Sequence, residues 1–171
     1  MRSTFPGWLL IAAGIALGVV AIVLWRSGGP QGADPTASPT PSAWSADGAD
    51  PAAYAAALAV GTNAAWAANG LEALEPSDCA TSAAITRAQE LTGGKPLAHA
   101  PLAPVITACA PLTTAAENLS RAAAGPQAVV DAWLKSSGHR ANLLDPTLTQ
   151  LGVGCVLDGG QMLCSQVFLG P

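Results

Sequence analysis

The chain has little charge and few aromatic rings: of 171 residues, 11 per cent are Asp, Glu, Lys or Arg and 5 per cent are Phe, Trp or Tyr. Seven Lys and Arg against eleven Asp and Glu leave a formal net charge of −4, and the basic residues do not cluster. A phosphate backbone needs a concentrated positive surface, so nucleic acid is excluded as a partner. Histidine is scarcer still, with only His99 and His139. No H-E-x-x-H ligand motif and no G-x-S-x-G nucleophile turn occurs, and no two of the four cysteines form a C-x-x-C pair. The common local signatures of metalloprotease and serine-hydrolase chemistry are therefore missing.

What the chain has in excess is apolar residues, half of the total. Part of the excess is the run WLLIAAGIALGVVAIVLW, eighteen uncharged residues from Trp8 to Trp25. As a helix it would reach about 27 Å, close to the hydrocarbon thickness of a bilayer. Tryptophans bracket it and Arg2 precedes it, so residues 1–26 read as a single-pass signal anchor with a cytoplasmic N-terminus. A cleaved signal peptide is the alternative reading, giving a secreted protein, but the run exceeds the usual ~7 to 15 residues and no small-x-small site follows directly. Residues 27–50 are rich in Pro, Ser, Ala and Asp and read as an unfolded tether. Within it, Trp44 has no evident packing partner. The folded domain is expected over residues 51–171.

All four cysteines follow the tether, and an even count in an exported domain favours disulfides. In VGCVLDGGQMLCSQVF the Gly159-Gly160 pair reads as the centre of a primed hairpin turn. Pairing outward sets Asp158 opposite Gln161, Leu157 opposite Met162, Val156 opposite Leu163 and Cys155 opposite Cys164. That last rung is a non-hydrogen-bonded one, where side chains approach most closely and a disulfide fits. Cys79 then pairs with Cys109 by elimination.

Helices are expected over Pro51 to Asn69, over Cys79 to Leu91 with Asp78 as cap, and from Gly125-Pro126 to about Ser137 with Val129, Val130, Trp133 and Leu134 on one face. LAPVITACA reads as a short helix, with a strand as its rival, and HRANLLDP as one or two further helical turns. In the closing hairpin Leu151, Val153, Cys155 and Leu157 share a face with Met162, Cys164 and Phe168. Gly152 and Gly154 bare the opposite face to a close neighbour. Helices first and strands last imply an α+β layered domain.

The segment AAENLSRAAAGPQAVVDAWLKSSGHRANLLDPTLTQLGVGC, followed by LCSQVF, resembles the bacterial form of the CAP superfamily, the SCP-like extracellular domains. Upstream, VGTNAAWAANGLEAL is similar to the family's opening helix and LAHAPLAPV to its first histidine segment, so the resemblance covers about Pro51 to Phe168. It implies a three-layer α-β-α sandwich with an antiparallel sheet, and a cleft to which His99, Glu117 and His139 contribute. Ser136 stands where many eukaryotic members carry a second glutamate, and Ala116 and Ser137 replace a glycine and a proline of the pattern.

Two imidazoles and a carboxylate are a sufficient ligand set for zinc or another divalent cation, with a position left for water. Together with the anchor read from residues 1–26, the resemblance implies a membrane-tethered, non-catalytic binding module for an envelope lipid, envelope component or protein. A metal-dependent hydrolase using His99, Glu117 and His139 is the alternative, and a purely structural exported domain is the third reading. Asn118 heads a glycosylation sequon but is expected inside, as a hydrogen-bonding neighbour of Glu117.

Overall fold

The computed structural model describes residues 44–171. The apolar run from Trp8 to Trp25 and the tether as far as residue 43 lie outside the described residues. Among the described residues no helix is long and apolar enough to cross a membrane.

Helix α1 (Pro51–Ala68) starts on a proline, whose missing N–H would have had no partner there, and Asp50 caps it by accepting from the Ala52 N–H at 2.9 Å. Its buried side includes Tyr54, Leu58, Ala65 and Trp66. Helix α2 (Asp78–Glu90) is capped one residue earlier than the sequence suggests, by Ser77, whose Oγ accepts from the Ala80 N–H at 3.4 Å. Asp78 instead sits in the first turn, where a negative charge meets the positive helix end. The segment with two readings forms a helix, α3 (Ala103–Ala108). Helices α4 (Pro126–Lys135) and α5 (Ser137–Leu143) are separated by Ser136, which is extended at φ −90° and ψ 124°.

The four-stranded sheet has the order β1-β3-β4-β2. Strands β3 (Gln150–Asp158) and β4 (Gln161–Gly170) form the hairpin in the register deduced from its turn, with Asp158 opposite Gln161 and Cys155 opposite Cys164. Gly159 and Gly160 take φ of 59° and 76°, the left-handed conformation a primed turn requires. Strand β2 (Thr114–Ala122), which the sequence reading leaves unassigned, pairs antiparallel with β4 along its whole length. The expected all-antiparallel sheet needs one correction. Strand β1 (Glu75–Pro76) runs parallel to β3, its link made by Glu75 N–H to Thr149 O and Ser77 N–H to Leu151 O, each at 2.9 Å. The connection from α1 to α2 enters beside β3 at that end and leaves at once through the α2 cap.

Helices cover both faces of the sheet. On one, α1, α4 and α5 bury Leu58, Trp66, Val130, Trp133 and Leu143 against Cys155, Cys164 and Phe168. On the other, α2 and α3 lie on Val167 and Leu169, with Ala80 and Ala84 as the contact, and Leu91 at the end of α2 packs with Leu163. Alanine at those positions lets the helix axis come near, and the sheet answers with glycine. A Cβ at Gly152 would sit 2.1 Å from Thr81 N, and one at Gly154 would sit 2.2 Å from Ile85 N. Both disulfides form as expected, Cys79–Cys109 and Cys155–Cys164.

Packing begins before Pro51, inside the stretch read as tether. Trp44 stacks edge-on against Tyr54, with ring centroids 5.4 Å apart, and lies beside Gly125, where an added Cβ would meet its ring at 3.4 Å, while Ala46 is buried. Tyr54 in turn donates to the Ala124 carbonyl at 2.7 Å.

Candidate functional site

Strand β2 lies at the sheet edge opposite β1, and alternation along it sends Glu117 to the α2 face and Asn118 to the α1 face. The Glu117 carboxylate is 3 per cent exposed, which demands that its charge and lone pairs be answered. Ser165 Oγ donates to Oε1 at 2.9 Å, and the Arg87 guanidinium of α2 faces the same oxygen, its Nε 3.7 Å away. The other oxygen, Oε2, meets Nδ1 of His99 at 2.8 Å. His99 arrives on the segment between α2 and α3 and stays largely exposed, so a buried acid orients a surface imidazole and leaves Nε2 to the solvent side. Arg87 is itself held by Glu90 at 3.2 Å and by the Ala98 carbonyl.

His139, on α5, reaches the same edge by a different route. Its backbone carbonyl accepts from Asn118 Nδ2 at 3.2 Å, and Asn142, a turn further on, donates to the Glu117 carbonyl at 2.9 Å and to Asn118 Oδ1 at 3.2 Å. Asn118 continues to Gln166, and Gln166 donates to Thr62 of α1 at 2.7 Å, so one buried polar chain runs from α5 to α1. Asn118 is wholly buried, as a hydrogen-bonding neighbour of the site. The His139 ring has its basicity lowered, first by burial and second by the nearby His99.

The structure thus joins His99 to Glu117 directly and brings His139 alongside through its backbone. Among the described residues no group of three or more His, Cys, Asp or Glu side chains is arranged to hold a metal ion. The donor chemistry says why. Glu117 has a partner on each oxygen, and a guanidinium opposite it already supplies the positive charge that a cation would bring. The three residues do not fit as three direct ligands. Arg87, Ser165, Asn142 and Gln166 are contributors the sequence reading missed. The available signal was Ser165-Gln166, two polar residues in a strand otherwise apolar from Met162 to Leu169.

Beside Glu117 a cavity of about 520 Å³ opens between α2 and α3. The Cys79–Cys109 disulfide, Ala83, Pro101, Pro104 and Val105 wall it, Glu117 and Val167 floor it, and Arg87 and Glu90 stand on its polar side. A closely packed sheet between two helical layers, with an oriented histidine and an apolar cavity at one edge strand, defines a cleft-bearing α-β-α domain.

The model of the cysteine-rich secretory protein family, CAP, matches residues 30–168, and the chain belongs to that family. It is 44% identical over 57 residues to the uncharacterized protein YkwD of Bacillus subtilis strain 168, a match covering 33% of this chain and 21% of that protein. An extracellular SCP-domain protein of Bacillus anthracis is similar in structure, with TM-score 0.57 and 26% identity over 64% of this chain and 38% of that one. A cysteine-rich secretory protein of Staphylococcus aureus (TM-score 0.63, 20% identity, 71% of this chain and 40% of that one) shares the fold. So does an outer surface protein of Borrelia burgdorferi (TM-score 0.61, 18% identity, 71% of this chain and 96% of that one). The chain therefore spans about a fifth of the curated relative it matches and under half of the first two structures.

Proposed function

We propose that this is an extracytoplasmic, non-catalytic binding module whose ligand is an amphiphile of the cell envelope. The apolar part lies in the cavity under the Cys79–Cys109 disulfide, and the polar end lies toward Arg87 and His99. The observation that carries this reading is the pairing of an open apolar cavity with a carboxylate whose oxygens are already engaged. A free general base would need an unoccupied oxygen near a substrate, whereas Glu117 is spent on holding Ser165, Arg87 and His99 in place. An extracytoplasmic location is supported by two disulfides, and by relatives described as extracellular, secretory or of the outer surface. The uncharged run from Trp8 to Trp25 supports a single-pass membrane tether, which alkaline extraction of membranes tests: an anchored chain stays in the pellet.

The binding reading is tested by titrating the full-length chain with a fluorescent long-chain fatty acid. Saturable uptake is expected, at least tenfold weaker in Ala83→Trp and in Ala108→Trp, which fill the cavity from its two walls. Equal uptake by wild type and both variants would remove the cavity from the account.

A further inference from the structure

The sheet has a second edge, far from Glu117 in the strand order. Strand β1 pairs with β3 only at Gln150 and Leu151, yet β3 runs on to Asp158. Leu151 turns its carbonyl outward to accept from the Ser77 N–H. Alternation along an antiparallel strand then turns the N–H and C=O of Val153 and Cys155 outward as well, while Gly152, Gly154 and Val156 point theirs inward to β4. Among the described residues, no backbone or side-chain hydrogen bond reaches the outward groups of Val153 and Cys155. Nor are they freely solvated like an ordinary sheet edge. Both residues are buried, at 7 and 8 per cent exposure, and they floor a second cavity of about 530 Å³.

The walls of that cavity are α1, through Ala52 and Ala56, and α2, through Thr81, Ile85 and Gln89. Ile85, on its α2 wall, is one of the four large apolar side chains that the described residues leave exposed. Backbone donors and acceptors spaced at a strand repeat are recognised by another extended backbone, and the alanines of the α1 wall leave room for its alternate side chains. We infer that the β3 edge is a docking slot for an extended, largely uncharged peptide segment of a partner protein, added to the sheet beside β3 where β1 leaves off.

The recess selects this occupant over a second copy of the chain. Edge-to-edge pairing of two copies would require both β3 edges to meet, and each is sunk between its own α1 and α2, so the helices would collide before the strands bonded. A single extended chain is slim enough. The open stretch from Val153 to Leu157 offers about 14 Å of edge at the antiparallel rise of about 3.4 Å per residue. The slot is lined by neutral side chains apart from Asp50, which is already engaged as the α1 cap. Strongly charged peptides are therefore poor guests.

Two measurements on the full-length chain test the inference. Amide hydrogen exchange should alternate along β3, with Val153 and Cys155 exchanging at least tenfold faster than Gly154 and Val156. Slow exchange at Val153 and Cys155 in the free protein would overturn the proposal, because the edge would already be occupied. A displayed library of short random peptides is then selected on the wild-type chain and counter-selected on Ala56→Trp and Ile85→Lys, both of which block the slot from exposed helix positions. Selected peptides should slow exchange at Val153 and Cys155, and should lose at least tenfold in affinity when methylated on alternate backbone nitrogens. A library yielding no binders sensitive to both variants would overturn the slot. So would binders indifferent to N-methylation, which would make the cavity a side-chain pocket instead of a strand template.

Discussion

Nδ1 of His99, on an exposed segment, lies 2.8 Å from Oε2 of Glu117, which is buried on the edge strand β2. The contact ties the cavity wall between α2 and α3 to the sheet, and the opposing Arg87 ties α2 to the same carboxylate. Site and scaffold are in this sense one network.

Glu117→Gln should therefore act mainly on stability. The change leaves a mostly buried guanidinium facing a neutral amide, and a cost of about 2 to 3 kcal/mol is expected. Replacing both partners, in Arg87→Met with Glu117→Gln, should recover part of that loss. Denaturant unfolding of Glu117→Gln, Arg87→Met and the double variant measures the coupling; additive losses would contradict it.

The pH response follows from His139. Its basicity is lower in the folded domain than the ordinary 6.5, by burial first and by His99 second. The unfolded chain then binds the proton more readily, so this group's contribution is complete above about pH 6.5 and declines as pH falls toward the lowered folded value. Melting temperatures from pH 7.5 to pH 5 should drop, and the drop should shrink in His139→Gln. An unchanged profile in that variant would assign the response elsewhere.

Much of the fold was legible where the determinants are local. The Asp50-Pro51 start of α1 and the Gly159-Gly160 turn each lie within a few residues of what they specify, and the turn fixed both the hairpin register and the Cys155–Cys164 bridge. Strand β2 was not legible, because TAAENLSRA is poor in β-branched and aromatic residues and its pattern is set by β4, whose paired residues lie 40 to 56 positions further on. The cap of α2 went to Ser77 because either residue suits the position chemically and the β1 connection decides which one is extended. In the site, His99, Glu117 and His139 could be named, whereas Arg87 and Ser165 acquire their roles only through contacts across the sheet. Trp44 found its partners in Tyr54 and Gly125, on two separate elements.

Gly154→Ala tests the close approach of α2. The new methyl would meet the backbone at Ile85, 2.2 Å away, which no side-chain rotation relieves. A loss of about 3 kcal/mol or more is expected, with Gly152→Ala similar for the same reason. A neutral result at both would mean that α2 sits farther from β3.

The two disulfides should contribute unequally. Cys79–Cys109 closes a separation of 30 residues and Cys155–Cys164 one of 9. In the chain-entropy model these give about 4 and about 3 kcal/mol, so the double alanine variant of the first pair should unfold at lower denaturant than that of the second. Removing the first pair should also weaken fatty-acid uptake, because its sulfurs wall the cavity.

A crystal structure of the protein grown with a long-chain fatty acid tests the binding reading most directly. The account predicts the acyl chain between the Cys79–Cys109 bridge and Val167, against Ala83 and Val105, with the Glu117 contacts to His99 and Ser165 intact. An empty cavity with the fatty acid bound elsewhere, or a Glu117 side chain released from both partners to face the ligand, would contradict it.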